Sequence, residues 1–127
     1  MSAPRKVLIG EDSSVIQNLT KKILKFQNYA IDSAKNGKQV LDKIENQTYD
    51  VLLLDINMPI MDGMECARRI RALDDPIKAN MPIVAITGNA RNYSEEDFAA
   101  AGINDYLLKP LDFDRLVEVV NRAVVQE

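Results

Sequence analysis

Five apolar runs of strand length alternate along this chain with stretches in which apolar residues recur at helical spacing. We predict strands at 6–10, 29–34, 51–54, 83–86 and 103–108. We predict helices at 14–27, around 40–44, from 64 to about 73, at 95–101 and at 113–124, with a loop between Pro76 and Pro82. This alternation is typical of parallel strands joined by right-handed helical crossovers.

The length of 127 residues suits one domain with a sheet that is covered on both faces. No linker, repeat or low-complexity segment interrupts the alternation, so we predict a single domain over residues 1–127. We therefore predict an α/β fold of the flavodoxin-like doubly wound (βα)5 type. Its five parallel strands take the order 2-1-3-4-5, with helices on both faces.

Chemically reactive side chains directly follow four of the predicted strands. Glu11 and Asp12 follow the first strand, Asp55 the third, Thr87 the fourth and Lys109 the fifth. The carboxyl ends of parallel strands meet at one edge of the sheet, where open α/β folds keep their sites, so we expect these side chains to converge. Each pair of carboxylates at about 5 Å costs on the order of 3 kcal/mol at an effective dielectric near 20. A divalent cation or raised carboxyl pKa values are therefore expected.

The composition limits what this site can bind. The chain has no histidine, so a metal must be held by oxygen, which favours Mg²⁺, with Mn²⁺ or Ca²⁺ as substitutes, over zinc or copper. The net charge of -3 and the lack of a basic tract argue against direct nucleic-acid binding. The apolar runs are too short to cross a membrane and the start shows no signal-peptide core, so we expect a cytoplasmic protein without membrane insertion.

The residue types at the predicted edge suit phosphoryl transfer, in which a protein mainly positions the group and neutralises its oxygens. Asp55 would be the nucleophile and would become an aspartyl phosphate. Glu11, Asp12 and Asp55 would hold Mg²⁺, with the backbone carbonyl of Asn57 as a further oxygen ligand. Thr87 and Lys109 would bind the phosphoryl oxygens.

Four motifs carry a resemblance to a known family: Glu11-Asp12, the segment 54–63 (LDINMPIMDG), Ile86-Thr87 and Leu108-Lys109-Pro110. In this order and at these intervals they resemble the receiver domain of two-component response regulators, including chemotaxis regulators and the receivers of hybrid kinases. The resemblance covers essentially the whole chain.

The resemblance implies a role for each residue of the site. It makes Asp55 the phosphoacceptor, Glu11 and Asp12 the magnesium ligands, and Lys109 the phosphate-binding ammonium. It makes Thr87 the switch hydroxyl and Tyr106 the switch aromatic. It also implies a cis peptide bond before Pro110.

Four positions depart from the family pattern or tune it. The first acid is Glu11, where the family more often has aspartate, so the ligand reaches one methylene further. Gly88 stands where a small alanine is usual and leaves the backbone after Thr87 freer. Asn57 and Asn89 occupy positions that tune the lifetime of the phosphoryl group.

The resemblance predicts a signalling switch, and not an enzyme acting on other substrates. It implies that the domain takes a phosphoryl group from a phosphohistidine of a histidine kinase or a histidine phosphotransfer protein, and that it promotes this step and its own dephosphorylation. Phosphorylation would switch an output surface at about residues 89–124. Because the chain ends at Glu127, we expect that surface to act on a downstream protein.

Other classes of function are weighed against this one. A haloacid-dehalogenase-like aspartyl phosphatase needs a second Asp two residues after the nucleophile, and here that residue is Asn57, which does not transfer protons. A flavodoxin-like cofactor carrier would have a Gly-rich or hydroxyl-rich phosphate loop, which this sequence lacks. The shared fold alone is poor support for that function. A receiver-like interaction module without phosphorylation is opposed by the intact Asp55, Thr87 and Lys109.

Overall fold

The computed structural model describes residues 4–88 and 93–124 of the chain. Five strands are present, β1 (Lys6–Gly10), β2 (Ala30–Ala34), β3 (Val51–Asp55), β4 (Ile83–Thr87) and β5 (Asp105–Leu108). The described helices are α1 (Ser14–Phe26), α2 (Gly37–Asn46), α3 (Gly63–Arg71), α4 (Pro76–Ala79), α5 (Glu95–Ala100) and α6 (Phe113–Val124). The strands form one parallel sheet in the order β2-β1-β3-β4-β5, which confirms the predicted doubly wound topology.

The sheet separates two apolar cores, because successive side chains of a strand point to opposite faces. On β3, for example, Leu52 and Leu54 belong to one core and Val51 and Leu53 to the other. The first core packs against α2, α3 and α5, and the second against α1 and α6. All of β3 is buried, as predicted for a central strand covered on both faces.

Helix starts cluster at the carboxyl edge of the sheet, because each crossover helix begins soon after a strand ends. Ser13 caps α1, Asn36 caps α2 and Asp62 caps α3, each with a side-chain oxygen that accepts a backbone N–H of the first turn. Ser94 and Asp97 form the predicted capping box of α5. The N-terminal ends of these helices, which favour negative charge, therefore face the edge where the acids lie.

Several predicted boundaries shift by one or two residues, and two differences from the sequence-based expectation have a clear physical reason. The segment between Pro76 and Pro82, predicted as a loop, contains the one-turn helix α4, which is capped by Asp75 and starts with Pro76. The last strand begins at Asp105, two residues later than predicted, because the N–H of Ile103 is bonded to the carbonyl of Phe98 at 2.9 Å. Gly102, at φ +85°, makes that helix end possible.

An acidic site at the carboxyl edge of the sheet

Three carboxylates meet where β1 and β3 end side by side. Glu11 and Asp12 follow β1, and Asp55 is the last residue of β3, which pairs with β1 in parallel register. One oxygen of each carboxylate lies within 4.8 Å of the other two. Glu11 and Asp55 are buried, whereas Asp12 is exposed. The strand order thus brings together the three acids that the sequence predicted to converge.

Lys109 supplies positive charge to this cluster from the end of β5. Its Nζ lies 2.9 Å from Asp55 Oδ2 and 3.8 Å from Glu11 Oε1. Burial lowers the pKa of Lys109, but the hydrogen bond to Asp55 and the surrounding acidic charges outweigh burial, so the pKa lies above its usual value. The peptide bond between Lys109 and Pro110 is cis, as the resemblance implies.

Glu11 is the carboxylate of the cluster whose charged form is disfavoured by its surroundings. Burial and the adjacent Asp55 carboxylate raise the pKa of Glu11 to about 7, against the opposing effects of the Ser13 N–H and Lys109. Glu11 Oε2 accepts the N–H of Ser13 at 3.1 Å, but its buried Oε1 has no hydrogen-bond partner among the described residues. An unsatisfied buried carboxylate oxygen beside two further carboxylates is a position suited to a cation.

The loop after Asp55 is held in a defined conformation. Asp55 Oδ1 accepts the backbone N–H of Asn57 at 3.1 Å. The N–H of Met61 donates to the carbonyl of Pro59 at 2.7 Å across Ile60, which has φ +71°. A positive φ at a β-branched residue is strained, and Ile60 is also 79% exposed. The loop next to the predicted nucleophile therefore stores local strain and presents an apolar side chain to solvent.

Thr87 and Tyr106 lie on the two strands beyond Asp55. Thr87 is buried at the end of β4, next to β3, and its carbonyl accepts the N–H of Lys109 at 2.9 Å. Tyr106 has different neighbours: its ring stacks on Phe98 at a centroid distance of 5.3 Å, and its hydroxyl lies 3.5 Å from Glu95 Oε1. Thr87 therefore joins the edge of the site, whereas Tyr106 packs against α5. The predicted tuning residue at 89 lies outside the described residues.

One buried polar residue that contacts the backbone of the site, Gln17, was not among the residues predicted from the sequence. Gln17 of α1 is 6% exposed, and its Nε2 donates to the carbonyl of Glu11 at 2.9 Å. A signal was present, since Gln17 lies seven residues before Leu24 and so shares the buried face of the helix.

Comparison with known proteins decides the family. The model of the response regulator receiver domain matches residues 7–121. The chain belongs to this family. As a receiver domain it is a module of two-component and phosphorelay signalling, and the doubly wound fold and the acidic edge described above are in accord with that membership.

The curated relatives include large signalling proteins. The receiver is 37% identical over 126 residues to hybrid signal transduction histidine kinase I of Dictyostelium discoideum, covering 95% of this chain and 7% of that protein. It is 34% identical over 116 residues to the CAI-1 autoinducer sensor kinase/phosphatase CqsS of Vibrio cholerae, covering 91% of this chain and 17% of that protein. The chain thus spans only a small part of the length of these relatives.

A solved structure shows a receiver with a metal ion. The receiver domain of sensor histidine kinase PA1611 from Pseudomonas aeruginosa has a magnesium ion coordinated in its active-site cleft. It is 32% identical to this receiver, with a TM-score of 0.88, and the match covers 98% of this chain and 100% of that one. The carboxylates of Glu11, Asp12 and Asp55, with the unsatisfied Oε1 of Glu11, form a hard-oxygen donor set that fits the same ion.

The helices in the described part of the chain are all too short or too polar to cross a bilayer.

Proposed function

We propose that this receiver accepts a phosphoryl group on Asp55 and works as a phosphorylation-dependent switch. The observation that carries the proposal is the convergence of Glu11, Asp12 and Lys109 on one buried carboxylate at the end of β3. A buried acid that is flanked by two more acids and one ammonium suits a carboxylate that must accept a phosphoryl group and have the added negative charge neutralised.

The phosphoryl group would come from a phosphohistidine of a partner, either a histidine kinase or a histidine phosphotransfer protein, because this chain has no histidine. An oxygen of Asp55 forms a bond to phosphorus while the bond from phosphorus to the imidazole nitrogen of the partner breaks. The electron pair of that bond stays on the imidazole nitrogen, which then takes up a proton. The product is an aspartyl phosphate, a mixed anhydride that water hydrolyses. The domain would also promote this hydrolysis, and thus its own dephosphorylation.

Residues of this chain would hold the group during the transfer. Lys109 is hydrogen-bonded to Asp55 and would move its ammonium to a phosphoryl oxygen when the carboxylate becomes an acyl phosphate. The hydroxyl of Thr87, at the end of the neighbouring strand, would bind another phosphoryl oxygen. Glu11, Asp12, Asp55 and the backbone carbonyl of Asn57 would hold Mg²⁺, for which Mn²⁺ or Ca²⁺ would substitute. Bound Mg²⁺ supplies positive charge next to the phosphoryl oxygens.

The output would arise from a shift between two conformations. The phosphoryl group would favour the conformer in which Thr87 moves toward it, and Tyr106 would fill the vacated space. In the present conformation the ring of Tyr106 stacks on Phe98 of α5, so a movement of this ring would change the packing of that helix. The surface at about 89–124 would then bind a downstream protein, and residues 1–127 would act as one cytoplasmic domain without contact to nucleic acid or membrane.

Intact-mass measurement after incubation with acetyl phosphate and Mg²⁺ tests the proposal. We expect the mass of one added phosphoryl group on the wild-type protein, none on Asp55→Asn, and none when Mg²⁺ is chelated. Asp74→Asn, which changes an exposed acid in the loop after α3, is the matched control and should be phosphorylated like the wild type. No adduct on the wild type, together with failure to bind beryllofluoride, would leave a receiver-shaped interaction module as the function.

A further inference from the structure

Gln17 is a buried amide whose described side-chain hydrogen bonds go to the ends of β1 and β2. The residue lies in the second turn of α1 and is 6% exposed. Its Nε2 donates to the carbonyl of Glu11 at 2.9 Å and to the carbonyl of Ala34 at 3.3 Å. The side chain therefore joins the helix to the ends of two neighbouring strands at the acidic edge.

The two acceptors are themselves connected. The N–H of Glu11 donates to the same carbonyl of Ala34 at 3.0 Å. Both backbone groups of Glu11 are thus fixed, its N–H by Ala34 and its carbonyl by Gln17. Ala34 is the last residue of β2 and pairs with Gly10, so this anchoring extends the β1–β2 register by one residue beyond the strand.

The carbonyl that Gln17 holds belongs to the peptide unit between the two neighbouring acids. The two Cα atoms of Glu11 and Asp12 lie in the plane of this peptide unit, so a hydrogen bond that holds its oxygen restricts the rotation of the plane and the positions of both Cα atoms. The Asp12 carboxylate is exposed, so burial does not orient it. The side chain of Glu11 is long and reaches the cluster from its backbone through two methylenes, so a small rotation of the peptide would displace its Oε1 substantially.

We propose that Gln17 is a positioning residue that sets the distance and direction of the Glu11 and Asp12 carboxylates toward Asp55, and thereby the affinity of the site for Mg²⁺. The inference rests on the proposed function, since it concerns the metal of that same site. Residues that orient metal ligands without touching the metal commonly change metal affinity by 10- to 100-fold when they are replaced.

The test variant is Gln17→Met, which keeps the length and volume of the side chain and removes both hydrogen-bond donors. The matched control is Thr20→Val, since Thr20 is buried one turn further along α1 and donates only within its helix, to the carbonyl of Ile16 at 2.8 Å. Calorimetric titration of each phosphate-free protein with MgCl₂ measures the affinity, and urea unfolding in chelator measures the stability alongside.

We expect the Kd for Mg²⁺ to rise roughly 10-fold or more in Gln17→Met and to stay at the wild-type value in Thr20→Val. The rate of phosphorylation by acetyl phosphate at saturating Mg²⁺ should change much less than the Kd, because Asp55 and Lys109 are untouched. A residue that only stabilised the fold would lower the urea midpoint and leave the Kd of the folded protein unchanged. That outcome would overturn the positioning role while leaving the proposed function intact.

A second measurement on the wild-type protein covers the case in which Gln17→Met does not fold. The side-chain amide resonances of Gln17 should exchange slowly with water and shift as MgCl₂ is added, whereas those of the exposed Asn18 should do neither. Fast exchange and unshifted signals of Gln17 in a protein that binds Mg²⁺ would overturn the inference. A wild-type protein that bound no Mg²⁺ at all would overturn the metal-dependent proposed function and the positioning role together.

Discussion

Lys109 lies between two buried carboxylates, with its Nζ 2.9 Å from Asp55 Oδ2 and 3.8 Å from Glu11 Oε1. One ammonium thus opposes the repulsion of two acids that are close to each other and removed from water. In metal-free protein the cluster holds three carboxylates and this one ammonium, so negative charge is in excess at the site unless a second cation binds. This balance makes the stability of the domain sensitive to the ammonium, to pH and to divalent metal.

Replacing Lys109 by Met should destabilise the metal-free protein by about 2 kcal/mol or more at pH 8, because it leaves two buried carboxylates without their cation. The measurement is urea unfolding in chelator. Lys43→Met is the matched control: Lys43 pairs with Asp32 at 3.0 Å, but both side chains are more than a third exposed. Such a pair contributes about 1 kcal/mol or less. Equal losses in the two variants would contradict a special role for Lys109 in the charge balance.

The stability of the metal-free domain should fall as the pH rises from about 5 to 8. Burial and the neighbouring Asp55 raise the pKa of Glu11 to about 7, so the folded state holds a proton that the unfolded chain releases near pH 4.5. The stabilisation is complete below the unfolded pKa and is lost as the pH passes the folded one, amounting to about 3 kcal/mol.

Neither histidine nor Asp32 contributes to the slope in this pH window. The chain has no histidine, and the pKa of Asp32 is lowered, so its contribution changes only under more acidic conditions. Urea unfolding in chelator at a series of pH values checks the slope, and Glu11→Gln should abolish it. A stability that stayed constant or rose between pH 5 and 8 in the wild type would show that Glu11 is already ionised in the folded state.

The fold and the acidic edge could be predicted because the strands end abruptly. Each of β1, β3 and β4 is apolar over several residues and is then followed by, or ends in, an acid or a hydroxyl. The change from apolar to polar residues therefore indicates both where the strand ends and which residue belongs to the site. Once β1 and β3 are neighbours, the positions of Glu11 and Asp55 follow from the register alone. The short helix α4 escaped prediction because one turn is too short to show helical periodicity.

Gln17 and Arg71 could not be assigned from the sequence, because their partners are distant backbone carbonyls. Arg71 contacts Gly102, which lies 31 residues away along the chain, and Gln17 contacts Ala34, which is 17 residues away. A polar residue on the buried side of a helix signals that some partner exists, but only the folded backbone identifies it. Local sequence patterns therefore do not predict hydrogen bonds of this kind between a side chain and a distant backbone carbonyl.

Gly63→Ala should destabilise the protein by about 1–3 kcal/mol, because the start of α3 packs directly on the end of β3. A Cβ at position 63 would lie 2.6 Å from the carbonyl oxygen of Asp55 and 2.8 Å from Cα of Ile56. Relief of this clash would move the backbone of Asp55, so the affinity for Mg²⁺ should fall as well. Urea unfolding and calorimetric titration measure the two effects.

Gly88→Ala provides the control for Gly63→Ala at the same edge of the sheet. A Cβ at position 88 would meet Cδ of Lys109 at 3.8 Å, which is an ordinary contact. The change should therefore alter the free energy of unfolding by less than about 1 kcal/mol, and a small gain is expected from the reduced entropy of the unfolded chain. A larger loss at Gly88 than at Gly63 would contradict the packing described for the two positions.

Arg71→Met should destabilise the domain by about 2–4 kcal/mol, because its guanidinium is hydrogen-bonded to two separate segments of the chain, 79–81 and 102–104. It donates to the carbonyls of Ala79 and Met81 at 2.7 Å, to the carbonyl of Gly102 at 2.6 and 2.8 Å, and to Asn104 Oδ1 at 2.9 Å. These bonds join the ends of α3 and α4 to the turn before β5. Their loss would leave several partly buried carbonyls without that donor.

Arg69→Met, two residues earlier on the same helix, separates the hydrogen-bonding role of Arg71 from the general effect of removing an arginine. Arg69 pairs with Glu65 at 2.8 Å on the exposed face of α3, an arrangement that contributes about 0.3–0.5 kcal/mol. Urea unfolding of the two variants should therefore differ by well over 1 kcal/mol. Hydrogen exchange should also speed up at the N–H of Ile83, which donates to the same Asn104 Oδ1, in Arg71→Met and not in Arg69→Met. Similar losses of stability in the two variants would show that the bonds of Arg71 to the backbone contribute little to the fold.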